Sequence, residues 1–346
     1  MSEDANLFAQ QETNRRRSTW LVIGFILFFA WVGFGGDLAF GLLTADDPPG
    51  AYHHTIPFLG IFTTLVAGGI CWFSWRYGPQ RVLWATGAWE IVEPATPEQR
   101  QLVNVVEEMA IASGIPRPRV FIVPDPDPNA FATGRDAATA SIAVTEGLLA
   151  ALTREELQGV VAHEMAHVRN LDVRLMTLLA AMVGAIALMS DGMGRMLRGG
   201  VRVGGGSGGG RRSGGKGGGN PLALVVLVFW LLTLVVAPIV SRILAMSVSR
   251  KREFLADATG AQFTRNPLAL ASALEKLAAA HSPTKAITQG AAHLCIVDPA
   301  PGLLSAREGF LADFLTSHPP ITQRIIRLRG MGYQQEKRAA SGAASA

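Results

Sequence analysis

His163, Glu164 and His167 lie in the stretch GVVAHEMAHVRN, residues 159–170. On a helix, positions i and i+4 share one face about a turn apart. Both imidazoles can therefore offer a ring nitrogen to one ion, and Glu164 can reach a water held there. Two polar residues on a solvated helix face would show the same spacing. The neighbours Leu157, Val160, Val161 and Ala162 make the stretch apolar and predict burial. Buried imidazole and carboxylate groups need partners, and a metal ion supplies one.

A hydrolytic zinc takes three protein ligands and keeps one position open. The extended pattern that adds a glycine and a third histidine further along fails here, because Asn170 and Val173 hold those places. A second helix has to complete the set. SRKREFLADATGAQF, residues 249–263, offers Glu253 as a ligand. Asp257, one turn along, can accept from the far ring nitrogen of a ligating imidazole. Two imidazoles and a carboxylate suit Zn2+, one ion per chain.

These residues need a frame. PEQRQLVNVVEEMAIASGI (97–115) predicts an amphipathic helix, RVFIV (119–123) a strand and PDPDP (124–128) a turn. NAFAT (129–133) and ASIAVT (140–145) predict two strands joined by GRDAA. Thr153, with Glu156 three residues on, forms a capping box that starts the histidine helix. NAFAT suits an edge strand to which an extended peptide can add, and suits an ordinary hairpin strand equally well. The expected fold class is α+β, mainly helical, with a small β-sheet.

The chain is 49% hydrophobic and 17% charged, with a mean hydropathy of +0.27. A soluble domain carries about 25% charged residues, so the shortfall predicts membrane helices. Trp20–Gly36 and Thr55–Trp75 are uncharged, and each is about long enough to span. A basic stretch before an apolar one also opens a cleaved signal peptide. No small-residue cleavage site stands out here, and a second span follows closely. Arg15, Arg16 and Arg17 precede the first span, and Arg76 and Arg81 follow the second, while the loop between has no Lys or Arg. That asymmetry predicts a cytoplasmic N-terminus and a cytoplasmic chain after residue 76.

Leu175–Ser190 and Asn220–Ser241 are further apolar runs, separated by the Gly-rich linker 199–219. Arg195, Arg198, Arg202, Arg211, Arg212 and Lys216 between them conflict with a full crossing, so a hairpin that dips into the membrane or packs on protein is the other reading. Cys71 and Cys295 are the only cysteines and give neither a disulfide framework nor a Cys-based metal site. The expected division is a polar segment 1–17, a transmembrane pair 18–80, a catalytic part 87–172, an apolar hairpin 173–249, a second catalytic part 250–335 and a disordered tail 336–346. If both metal helices run unbroken from the apolar runs, the rises of roughly 12 Å and 18 Å put the metal just off the membrane face. A helix break near Asn170 or Ser249 would remove that inference.

The sequence resembles the HtpX-type membrane zinc metallopeptidases, relatives of the CAAX prenyl endopeptidases. The likeness rests on HEMAH (163–167), EFLAD (253–257), NAFATG (129–134), TEGLL (145–149) and HPPITQR (318–324), and on the order of parts over roughly 20–330. The resemblance implies His163, His167 and Glu253 as zinc ligands, Glu164 as general base and Asp257 as the outer partner. It implies His318 near the zinc as a transition-state stabiliser or an occasional extra ligand, Arg324 as a brace, and Asn129, Ala130 and Phe131 as the substrate strand. The Gly-rich insertion departs from the pattern and puts the membrane hairpin in doubt.

The activity implied is a membrane-anchored endopeptidase in quality control of misfolded membrane proteins. It would sit in a bacterial cytoplasmic (inner) membrane with the catalytic domain on the cytoplasmic side. Its partners would be unfolded or membrane-protein substrates and the lipid bilayer, with no nucleic acid. An intramembrane protease is a second reading, disfavoured by Arg154, Glu155, Glu156 and Arg169 flanking the motif. A prenyl-protein-type processing protease and a non-catalytic membrane scaffold are the others.

Overall fold

Residues 3–45, 55–178, 224–233, 250–280, 295–297 and 319–343 are described by the structure, a computed structural model. The elements are α1 (Glu3–Thr44), α2 (Phe58–Ala85), β1 (Trp89–Glu90), α3 (Pro97–Ser113), β2 (Arg119–Val123), β3 (Ala130–Thr133), β4 (Ser141–Thr145) and α4 (Glu146–Ala151). They continue with α5 (Arg154–Arg169), α6 (Arg250–Thr264), α7 (Pro267–Ala279) and α8 (Ile321–Ala343). The result is mainly helical with one small mixed sheet, as expected.

The chain forms two units. One comprises Met1–Ser18, Phe73–Ala181 and Ile243–Ala346, the other Thr19–Trp72 and Met182–Arg242. In the first unit the sheet order is β1-β2-β4-β3, with β2 and β4 parallel and the other neighbours antiparallel. Among the described residues β3 is the last strand of the sheet and pairs antiparallel with β4, so it is both an edge and one strand of a hairpin, the two readings NAFAT left open. Strand side chains alternate between faces. Val120, Ile122, Ile142 and Val144 enter the main core with Leu102, Val105, Val160 and Leu274. Phe121, Val123, Phe131 and Ala143 pack on the other face with Leu83, Met176 and Cys295. Both faces are thus covered.

α5 is the central helix. Its residues from Gly159 to Ala166 are all buried, which is what an apolar run on every side demands. The capping box forms: Thr153 Oγ1 accepts from Glu156 N, and Glu156 Oε2 accepts from Thr153 N at 2.8 Å. Glu156 does a second job. It accepts from Ser272 Oγ at 2.6 Å and Lys276 Nζ at 2.6 Å on α7, tying the two helices together. Glu156→Ala removes the glutamate half of the capping box and the acceptor of Ser272, and leaves Lys276 with the Ala151 carbonyl alone of its two acceptors. We expect a loss of about 1–3 kcal/mol, read as a lower thermal midpoint of the solubilised protein.

Several sequence expectations are corrected. The segment expected as a separate polar part, 1–17, is from Glu3 onward the start of α1, and Met1–Ser18 belongs to the first unit. α1 also runs past Asp37 to Thr44, into what was expected to be loop. Asp37 is buried because its carboxylate accepts from the first amides of α2, Leu59 N at 3.3 Å and Gly60 N at 2.6 Å. The tail is helical to Ala343 because Gln, Glu, Lys, Arg and Ala there are good helix formers. α5 ends at Arg169, Asn170 caps it and Leu171 turns left-handed with φ 59°. The unbroken rise from His167 to the apolar run does not exist, so the distance inferred from it is withdrawn.

Among the described residues two helices are long and apolar enough to cross a membrane, Gln11–Thr44 and Phe58–Ala85. Only 28% and 22% of their most apolar windows are buried, too little for core helices of a soluble domain. Trp20, Leu27, Phe62, Leu65 and Trp72 face outward instead. Of the expected second apolar pair, residues 172–178 and 224–233 are helical, and the rest of 173–249 lies outside the described residues.

Candidate metal centre

α6 can lie flush on α5 because residue 260 is glycine. A Cβ there would come within 3.0 Å of His163 N and 3.1 Å of its Cα, against backbone that cannot give. The close approach brings Glu253, on the same face of α6, up to both histidines.

Three groups converge. His163 Nε2 lies 3.2 Å from His167 Nε2. Glu253 Oε2 is 3.6 Å from His163 Nε2, and Glu253 Oε1 is 3.6 Å from His167 Nε2. Ligand atoms around a tetrahedral zinc sit about 3.4 Å apart, given bonds of about 2.0–2.2 Å. The donor set therefore fits such an ion in type and in spacing.

Each imidazole turns its other nitrogen to a carboxylate, which fixes the ring and its tautomer. His163 Nδ1 lies 2.9 Å from Asp257 Oδ1. His167 Nδ1 lies 3.1 Å from Asp172 Oδ2. Arg324 is 1% exposed and grips Asp257 with Nε at 2.9 Å and Nη2 at 2.7 Å. Its Nη1 donates to the Ile296 carbonyl at 2.8 Å and lies 3.2 Å from Glu253 Oε2.

Glu164 is buried beside this set. Among the described residues its Oε1 has no hydrogen-bond partner, which leaves that oxygen for a water or a substrate proton. The Ala132 amide of β3 donates to its carboxylate, so the glutamate lies against the strand. Burial, with the charge of Glu253 behind it, pushes its pKa up to about 7. That places it where a general base works well near neutral pH.

The other titrating groups take opposite directions. Burial lowers the pKa of His163. Burial also acts to lower His167, but the Asp172 hydrogen bond and the charge of Glu253 outweigh it and raise the pKa to about 9. The proton so held competes with a cation for Nε2. We therefore expect metal affinity to rise with pH, by up to about tenfold per unit below pH 9, and to level off above it. Chelator competition across pH 6–10 checks this, and an affinity that falls with pH would contradict it.

The candidate substrate strand is partly taken. Ile296 N donates to the Ala130 carbonyl at 2.9 Å, Phe131 bridges Cys295, and Asn129 Nδ2 donates to the Val297 carbonyl at 3.1 Å. The chain's own residues 295–297 thus lie along the outer edge of β3 at Asn129, Ala130 and Phe131. His318 lies outside the described residues.

The family model "Peptidase family M48" matches residues 96–332. The chain belongs to peptidase family M48. A protease HtpX homolog of Caldanaerobacter subterraneus subsp. tengcongensis is 40% identical over 277 residues, 80% of this chain and 84% of that protein. One from Streptococcus gordonii is 36% identical over 326 residues, 94% of this chain and all of that protein. One from Streptococcus pneumoniae is 38% identical over the same length. The crystal structure of S. mikatae Ste24p aligns at 16% identity with a TM-score of 0.45, over 94% of this chain and 67% of that one, below what fixes a common fold. An HtpX-type M48 chain with two exposed apolar helices is a membrane-associated metallopeptidase.

The structure brings together His163, His167, Glu253, Glu164, Asp257 and Arg324, all singled out from sequence. It adds Asp172, Gly260, Ala132 and Asn14. Asp172 had one available signal, an acid five residues after His167. Gly260 sits on the Glu253–Asp257 face three residues after Asp257, a spacing that marks a helix contact.

Proposed function

We propose that this chain is a zinc-dependent endopeptidase in which His163, His167 and Glu253 hold the ion and Glu164 is the general base. The observation that carries the reading is the convergence of two Nε2 atoms and a carboxylate, with a second, buried carboxylate alongside. Zinc bound there would acidify a water and polarise the scissile carbonyl. Glu164 takes the proton of the attacking water on its free oxygen and delivers it to the departing amide nitrogen. β3 aligns the peptide next to Glu164 by strand addition. Residues 295–297 already lie on that edge, so substrate pairs beyond Phe131 or displaces them.

The apolar helices hold this chemistry at a membrane, with the catalytic unit on the cytoplasmic side by the arginine asymmetry. Unfolded or damaged membrane proteins in a bacterial cytoplasmic membrane are the proposed substrates, and their removal the proposed role. The test is to purify the protein in detergent, measure zinc per chain and assay cleavage of casein. About one zinc per chain, with cleavage lost on chelation and restored by zinc, is the expected result. No bound metal under zinc-replete conditions would sink the reading.

A further inference from the structure

The first helix reaches the metal centre through Asn14. Asn14 is 2% exposed, far below what a polar residue ahead of an apolar run would show on a solvated helix. Its Nδ2 donates to the Asn170 carbonyl at 2.8 Å and to Asp172 Oδ1 at 2.8 Å, using both amide hydrogens. The other oxygen of Asp172 is the one at His167 Nδ1. Gln11, three residues earlier, donates to the Arg169 carbonyl at 2.8 Å. The last carbonyls of a helix lack donors within it, so α1 supplies donors to the end of α5.

The geometry of the turn shows why this end needs holding. Leu171, between Asn170 and Asp172, has φ 59°. That conformation is costly for a residue with a Cβ and persists only when its surroundings fix it. Asp172 follows directly, and its carboxylate is the outer partner of a metal-binding ring. Arg252 Nη1, at 3.8 Å from Asp172 Oδ1, contributes charge at the same oxygen but lies at longer range than Asn14.

We propose that Asn14 is a positioning residue of the metal centre. By holding Asp172 Oδ1 and the Asn170 carbonyl, it aims Asp172 Oδ2 at His167 and keeps His167 Nε2 turned toward His163 and Glu253. α1 continues without a break into the apolar segment ending at Thr44, so one helix carries both the anchor and a support of the metal site. The polar segment before the apolar run is a structural part of the centre as well as a charged flank. The inference rests on the zinc reading of the site.

The test measures zinc affinity of the full chain in detergent by chelator competition. The variants are Asn14→Ala, Asn14→Asp, Asp172→Ala and the double variant Asn14→Ala/Asp172→Ala. Arg16→Ala is the control, because Arg16 is exposed and, among the described residues, pairs along its own helix with Glu12. Asn14→Ala is expected to weaken zinc about 10-fold, the usual cost of losing an outer partner. Asn14→Asp keeps the size, loses the donor and sets a second carboxylate against Asp172, so it weakens zinc at least as much. It also carries the test if Asn14→Ala does not fold. The double variant should bind no more weakly than Asp172→Ala alone, because both act through one carboxylate. Arg16→Ala should match wild type. Wild type that holds zinc, with Asn14 variants of unchanged affinity or losses that multiply in the double variant, overturns this inference alone. Wild type without zinc overturns the metal reading and this inference with it.

Discussion

Glu164→Gln is expected to lower cleavage by about 10²–10⁴-fold while leaving zinc content at the wild-type level. Glutamine keeps the size and one carbonyl oxygen but cannot take a proton. Glu164 is not one of the three converging donors, so the ion keeps its ligands. The environment sharpens the expectation. Burial and the charge of Glu253 hold the glutamate at about pKa 7, so near neutral pH it both accepts and returns a proton. Cleavage by wild type should accordingly rise with pH through the neutral range, and the residual activity of the variant should lose that limb. The measurement is kcat on an unfolded protein alongside zinc per chain. A variant that cleaves at more than about a tenth of the wild-type rate would remove Glu164 from the base role.

What could be read from sequence divides by range. The capping box at Thr153 and Glu156, the burial of α5 and the shared face of His163 and His167 are all set within one helix, and periodicity exposes them. Glu253 and Asp257 were readable because they repeat the same one-turn spacing on a second helix and because the first helix lacked a third ligand. Asp172 was not, since its role depends on the chain turning at Leu171 and coming back under His167. Asn14 was further out of reach. Its partners lie more than 150 residues away, and the arginines beside it gave the segment a sufficient reason to exist. The edge of β3 shows the same limit. NAFAT reads as a strand that suits an edge or a hairpin, but nothing local in it says that residues 295–297 return to lie along it.

Arg324→Ala is expected to destabilise the protein by about 3–5 kcal/mol and to reduce zinc retention with it. The guanidinium is buried between Asp257, Glu253 and the Ile296 carbonyl. Removing it strands two buried carboxylates, Asp257 and Glu253. Burial alone would raise the pKa of Asp257, and it is the charge of Arg324, aided by His163, that holds it down at about 2. A carboxylate with a depressed folded pKa adds stability above its ordinary value of about 3.9, and that stability is lost as pH falls toward 2. In Arg324→Ala the folded pKa climbs, so the acid limb of the stability curve should move to higher pH. Asp257 then releases His163 Nδ1 sooner, and the ring loses its orientation. Arg324→Lys separates charge from geometry: it keeps the cation but cannot bond both Asp257 oxygens and the Ile296 carbonyl together. Its stability should fall between wild type and Arg324→Ala. Denaturant titrations at pH 7 and pH 5, with zinc content on the same samples, measure all of this. An Arg324→Ala protein within about 1 kcal/mol of wild type and fully loaded would mean that the buried guanidinium is not what holds the ligand set in place.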